Sequence, residues 1–101
     1  DIGQTVAVKN KVVLAVEAFE GTDQLILRAG KLAKGGFVLV KVSRPSGDMR
    51  FDIPVVGLRT IKLLIKTQAK ILAFEADKTL FIDREEGIKL ANKRGLCVVA
   101  I

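Results

Sequence analysis

The segment Val13-Leu-Ala-Val-Glu-Ala18 is echoed by Ile71-Leu-Ala-Phe-Glu-Ala76, and this echo constrains the fold more than any other feature of the chain. Each copy is a β-rich run ending on a glutamate. Each leads to a capped helical stretch, a glycine stop (Gly36, Gly95) and a further apolar strand. Two β–turn–α–β halves sharing one sheet account for the pattern; chance similarity between strand sequences accounts for it nearly as well. Either way the fold class is α/β, a mixed sheet with about three helices.

The remaining elements follow from local signals. Thr5–Val8 and Lys11–Ala18 flank Lys9-Asn10 as a hairpin. Thr22 is expected to N-cap a first helix, with Asp23 in its first turn and Leu25, Ala29 and Leu32 on its apolar face. Phe37–Val42 is the next strand. Thr60 is expected to cap a second helix whose apolar face carries Ile61, Leu64, Ile65 and Ala69. Ile71–Glu75 and Thr79–Ile82 read as short strands around a turn. Asp83 and Glu86 form a capping box for a third helix with Ile88, Leu90 and Ala91 inward, and Leu96–Ile101 closes the chain as a buried strand.

The 101 residues suffice for one domain, and half of them are apolar. Runs such as Phe37–Val40 are far shorter than the roughly 20 residues that span a bilayer. The chain begins on Asp1-Ile-Gly-Gln4 without an initiator Met and reads as a piece of something longer. The lone Cys97 lies in an apolar run, so it is expected to be a small buried hydrophobe in a reducing, cytoplasmic setting.

Two absences narrow the chemistry. With no His and one Cys, His-based triads and a structural zinc site within the chain are excluded. Carboxylates, Lys, Arg and hydroxyls remain, and oxygen ligands suit a hard cation such as Mg²⁺. The net charge of +6 suits a phosphorylated substrate or an anionic membrane face. It does not read as a nucleic-acid surface. The basic residues are scattered, and neither Tyr nor Trp is present to stack on bases.

Two segments can carry chemistry. In Glu17-Ala-Phe-Glu-Gly-Thr-Asp23, three carboxylates leave a strand through a glycine turn onto a helix N-terminus. Backbone N–H groups there, around Gly21 and the Thr22 hydroxyl, can bind phosphate oxygens, while Glu20 and Asp23 can hold a divalent cation. An acidic helix cap is the plainer reading. In Asp48-Met-Arg-Phe-Asp52, alternation puts Asp48, Arg50 and Asp52 on one face of an extended chain. This presents two candidate metal ligands around a guanidinium able to grip a phosphate. A solvated ion pair on an edge strand is the alternative. Lys41 and Arg44 stand at a strand end just before this second segment and can neutralise a pyrophosphate or simply face solvent. The loop from Ser43 to Gly57, with both prolines, is where a ligand cleft is expected.

The order of motifs resembles a known family. Asp1-Ile-Gly-Gln4, residues 13–18, Glu20-Gly-Thr-Asp23, Lys41 with Pro45, Asp48-Met-Arg-Phe-Asp-Ile-Pro54, Gly57, Thr60 and Ala76-Asp-Lys-Thr-Leu-Phe-Ile-Asp83 are similar to the C-terminal domain of the UDP-2,3-diacylglucosamine pyrophosphatases of the non-calcineurin type, which act in lipid A biosynthesis. The resemblance implies a Mg²⁺-dependent hydrolase that splits UDP-2,3-diacylglucosamine into UMP and 2,3-diacylglucosamine 1-phosphate. Residues 1–101 would be the C-terminal half, working with an N-terminal domain not in this chain, at the cytoplasmic face of the inner membrane. Alone, that half is expected to be inactive. Asp23, Asp48 and Asp52 would be the catalytic carboxylates, with Glu20 among the metal ligands and Gly21, Thr22, Lys41 and Arg50 binding substrate. One departure is visible: the family pattern has Gln before Asp48, and this chain has Ser46-Gly47. A non-catalytic nucleotide- or anion-binding regulatory module is the alternative.

Overall fold

The structure, a computed structural model, describes residues 5–17, 21–43 and 54–101. Strands β1 (Thr5–Lys9), β2 (Val12–Val16), β3 (Val38–Lys41), β5 (Ile71–Phe74) and β7 (Cys97–Ala100) form one sheet in the order β2-β1-β3-β5-β7. β1 is antiparallel to both β2 and β3, whereas β3, β5 and β7 are parallel. A second, two-stranded parallel sheet joins β4 (Val55–Val56) to β6 (Leu80–Phe81). The helices are α1 (Thr22–Ala33), α2 (Leu58–Lys66) and α3 (Arg84–Arg94).

The expected mixed α/β sheet with three helices is therefore present, and so are two β–α–β units in one sheet. β2–α1–β3 steps over β1, and β5–α3–β7 joins neighbours. α1 packs on α2 and α2 on α3, so the helices form one layer against the sheet. The core between them holds Leu25, Ile26, Phe37, Leu39, Ile61, Leu64 and Leu72, all fully buried.

Local chemistry shapes the connections. Asn10 and Lys11 both take positive φ, the backbone a tight two-residue hairpin needs. At Gly30, an added Cβ would lie 2.9 Å from the side chain of Thr67, so glycine is what lets the end of α1 approach the end of α2.

Several details differ from the sequence reading. Gly21 and Gly57, not Thr22 and Thr60, occupy the N-cap positions of α1 and α2. Asp83 is the α3 N-cap but adopts the left-handed conformation and makes no side-chain cap bond, so the Asp83–Glu86 capping box does not form. In α1 the buried stripe is Leu25, Ile26, Ala29 and Ala33, leaving Leu32 exposed. β7 is an edge strand rather than a buried one, and Cys97 on it is exposed.

Candidate functional site

β2 runs in the same direction as β3, β5 and β7, because β1 lies between β2 and β3 and opposes both. The carboxyl ends of these four strands, and the start of β1, therefore share one edge. Open α/β sheets bind ligands at that edge. Here it gathers Glu17 after β2, Lys41 at the end of β3, Thr5 at the start of β1 (paired with Lys41 across the sheet) and Thr22 at the start of α1.

Gly21 has φ 85 and ψ 170, a conformation that favours glycine. It turns the chain so that Thr22 enters the helix itself and its hydroxyl is free of capping duty. That hydroxyl accepts a hydrogen bond from Lys41 Nζ at 2.7 Å and donates to Glu17 Oε1 at 2.9 Å. Thr5 Oγ1 stands 3.4 Å from the Thr22 hydroxyl oxygen. The hydroxyl thus uses its one proton and one lone pair in a single relay from ammonium to hydroxyl to carboxylate.

Lys41 is 5% exposed, a rare setting for a lysine. Burial pushes its pKa below the ordinary lysine value; the carboxylates of Glu17 and then Asp23 act in the opposite sense, and burial is the larger effect. Asp23, one residue into α1, meets Arg59 Nε at 3.0 Å; Arg59 is mostly solvent-exposed and Asp23 about one-third exposed. The pair bridges the first turns of α1 and α2 at the mouth of a groove of about 270 Å³ whose walls include Leu27, Lys62 and Leu63.

Beside this cluster, Glu75 at the end of β5 accepts hydrogen bonds from the backbone N–H and the hydroxyl of Ser43. The backbone bond is the main cause that holds its carboxyl below the usual range, followed by the Ser43 hydroxyl; Lys78, 3.9 Å away, adds to this and partial burial opposes it.

Of the predicted site residues, the structure brings Gly21, Thr22, Asp23 and Lys41 to one edge. Glu20, Asp48, Arg50 and Asp52, together with Arg44, lie outside the described residues. Their flanking residues do not: Glu17 and Gly21 border 18–20 at this edge, and Ser43 and Pro54 border 44–53. Among the described residues no three His, Cys, Asp or Glu side chains converge as a metal site. Asp23 alone of the four expected ligands is described, and its exposed Arg59 partner leaves it accessible.

Sequence reasoning did not single out Thr5 or Arg59. Thr5 shares the inward face of β1 with Ala7, so its alternation was a usable signal. Arg59 carried none, since its partner lies 36 residues earlier, on another helix (59 − 23).

Residues 1–99 match the family description "LpxI C-terminal domain". The UDP-2,3-diacylglucosamine pyrophosphatase LpxI of Caulobacter vibrioides is 35% identical over 109 aligned residues, covering 100% of this chain and 39% of that protein. The chain thus spans about two-fifths of the length of this curated relative. By structure, the apo dCMP deaminase of cyanophage S-TIM5 superposes with a TM-score of 0.56 at 17% identity, over 96% of this chain and 78% of that one. Acinetobacter baumannii RibD gives 0.57 at 15%, over 96% and 28%. These two likenesses concern the fold alone. On the match that runs nearly end to end, the chain belongs to the family of the LpxI C-terminal domain.

Proposed function

We propose that residues 1–101 form the C-terminal, substrate-binding and catalytic half of an enzyme that hydrolyses the pyrophosphate of UDP-2,3-diacylglucosamine. The reaction consumes one water and yields UMP and 2,3-diacylglucosamine 1-phosphate. The observation that carries the reading is the relay Lys41–Thr22–Glu17 at the carboxyl edge, beside the first turn of α1. Its wider support is the 35% identity to the Caulobacter pyrophosphatase.

The chain's own groups match what pyrophosphate cleavage demands. Charge develops on the phosphate oxygens, and the reacting groups must be held in line. Backbone N–H groups at the start of α1 and the Lys41 ammonium can receive those oxygens. Lys41 is held in place by Thr22 and so needs little reordering when an anion arrives. Glu17, accepting the hydrogen bond that Thr22 donates, fixes the hydroxyl's orientation. Arg59 can pass from Asp23 to a phosphate as the carboxylate takes on another partner.

Magnesium, when bound, would neutralise the pyrophosphate and orient the attacking water. An all-oxygen donor set suits it. Asp23, with Glu20, Asp48 and Asp52 from the flanking segments, would hold it, and Arg50 would join the phosphate contacts. A lipid substrate of this kind would draw the protein to the cytoplasmic face of the inner membrane, a reading supported by the charge of +6 and the attraction of anionic headgroups for cations.

The experiment is UMP release by the full-length protein and its Asp23→Asn variant across a Mg²⁺ titration. The proposal expects turnover that requires Mg²⁺ and falls by about 10²-fold or more in the variant, on the scale of losing one transition-state contact. Binding of UDP without turnover would instead establish the regulatory module.

A further inference from the structure

The helices cover one face of the five-stranded sheet; among the described residues no helix lies on the other, where the central side chains are half-buried apart from the buried Ala73. On the central strands, Thr5, Ala7, Leu39, Lys41, Leu72 and Phe74 point into the buried layer. The alternating positions register across the sheet in two aliphatic rows, Val6–Val40–Ala73 and Val8–Val38–Ile71. None of these six residues belongs to the core cluster, including Ala73, which is only 9% exposed. The rows extend onto β2 at Val13, 58% exposed, and onto β7.

The composition of this face is not that of a surface meeting water. A sheet with one solvated face alternates apolar and polar residues, and parallel strands are normally covered on both faces. Here the second face is aliphatic in both rows, with no charged or hydroxyl side chain among the six.

Its dimensions indicate what covers it. Five strands about 4.8 Å apart and four residues long present roughly 20 by 13 Å, about 250 Å². A second copy stacked on this face alone falls well short of the roughly 800 Å² per partner that a stable interface buries. One helix of about 13 residues, rising 1.5 Å per residue, matches the width of the sheet. Since the chain spans 39% of the Caulobacter relative, most of a protein of that length lies outside these residues and can supply such a helix.

We infer that in the full-length protein an amphipathic helix from outside residues 1–101 lies across the Val6–Val40–Ala73 and Val8–Val38–Ile71 rows, completing a three-layer α/β/α domain. The inference rests on family membership and not on the catalytic proposal.

Val13 on this face and Leu32 on the helix layer are each 58% exposed within this chain, which makes them a matched pair. In the full-length protein with its native cysteines replaced, maleimide should label Val13→Cys at least tenfold more slowly than Leu32→Cys. A photo-crosslinking residue at Val40 should join, within one molecule, to residues outside 1–101. Equal labelling rates would overturn the inference, since the face would then be bare. Crosslinks to residues 44–53, or crosslinks between molecules that grow with concentration, would overturn it in favour of a local segment or a second copy.

Discussion

In each β–α–β unit the first strand is followed at once by a glutamate, and there the two units part ways. Glu17 after β2 accepts a hydrogen bond from Thr22, on the helix of its own unit, and through it is tied to the nearly buried Lys41. Glu75 after β5 instead turns sideways to Ser43, just past β3, and to Lys78 in its own turn. Its helix, α3, begins at a left-handed Asp83 with exposed Glu85 and Glu86 in the first turn. The repeated sequence thus sets a repeated backbone, and the neighbouring strand sets the chemistry. β3 presents Lys41 inward to the first unit, and Ser43, just past its end, reaches the second. A carboxylate–hydroxyl–ammonium relay results in one place and a loop clamp in the other.

The largest expected effect tests whether the first unit works alone. If it is one wall of a two-domain site, residues 1–101 in isolation should release UMP at least about 10³-fold more slowly than the full-length protein, because positioning by the missing wall carries much of the rate. Comparable turnover would place the whole site within this chain.

Next comes Lys41→Met in the full-length protein. It keeps the buried hydrocarbon stem and removes the ammonium, so turnover should fall by about 10²-fold. The fold should survive, with stability changed by no more than about 1–3 kcal/mol by urea denaturation, the range for a hydroxyl losing a charged partner. The sign with pH is fixed by the downward shift: the unfolded state holds the Lys41 proton more tightly than the native state. Stability should therefore rise as pH climbs from the native pKa toward the unfolded value of about 10.4. That alkaline rise should shrink in Lys41→Met.

For the second unit the expected signature is acid sensitivity and not lost turnover. Glu75 is held below the usual carboxylate range, so the stability it contributes is complete above its unfolded pKa of about 4.3 and is lost as pH falls through the native value. Thermal melts between pH 6 and 3 should show a shallower acid decline in Glu75→Gln than in the parent. An unchanged acid limb would mean the Ser43 clamp does not hold in solution.

The smallest expected effect on stability belongs to Arg59→Ala. The Asp23 pair is exposed on its arginine side, so stability should change by less than about 1 kcal/mol. A larger loss would make the pair a structural strut between α1 and α2.

How much of this was legible beforehand divides along the range of the interactions. Strands and helices followed from apolar periodicity and glycine stops, which act within a few residues. Helix starts were misplaced because Thr22 and Thr60 are good caps in isolation, while Gly21 and Gly57 set the backbone one to three positions earlier. Cys97 was misread because Leu96–Ile101 is apolar throughout, and nothing within a strand reveals that it will lie at a sheet edge. At the site, Thr22, Asp23 and Lys41 were accessible from residue type and position. Arg59 was not, since its contact with Asp23 joins two helices distant in the chain, and Thr5 offered only the inward alternation of β1.

The difference between the two glutamates is tested most directly by UMP release from full-length Glu17→Gln and Glu75→Gln, each compared with the parent at saturating substrate and with thermal melts showing both folded. The relay predicts a loss of about tenfold or more in Glu17→Gln, through the misoriented Thr22 hydroxyl, and near-parent turnover in Glu75→Gln. Equal losses in the two variants, or the greater loss in Glu75→Gln, would contradict the assignment of the chemistry to the first unit.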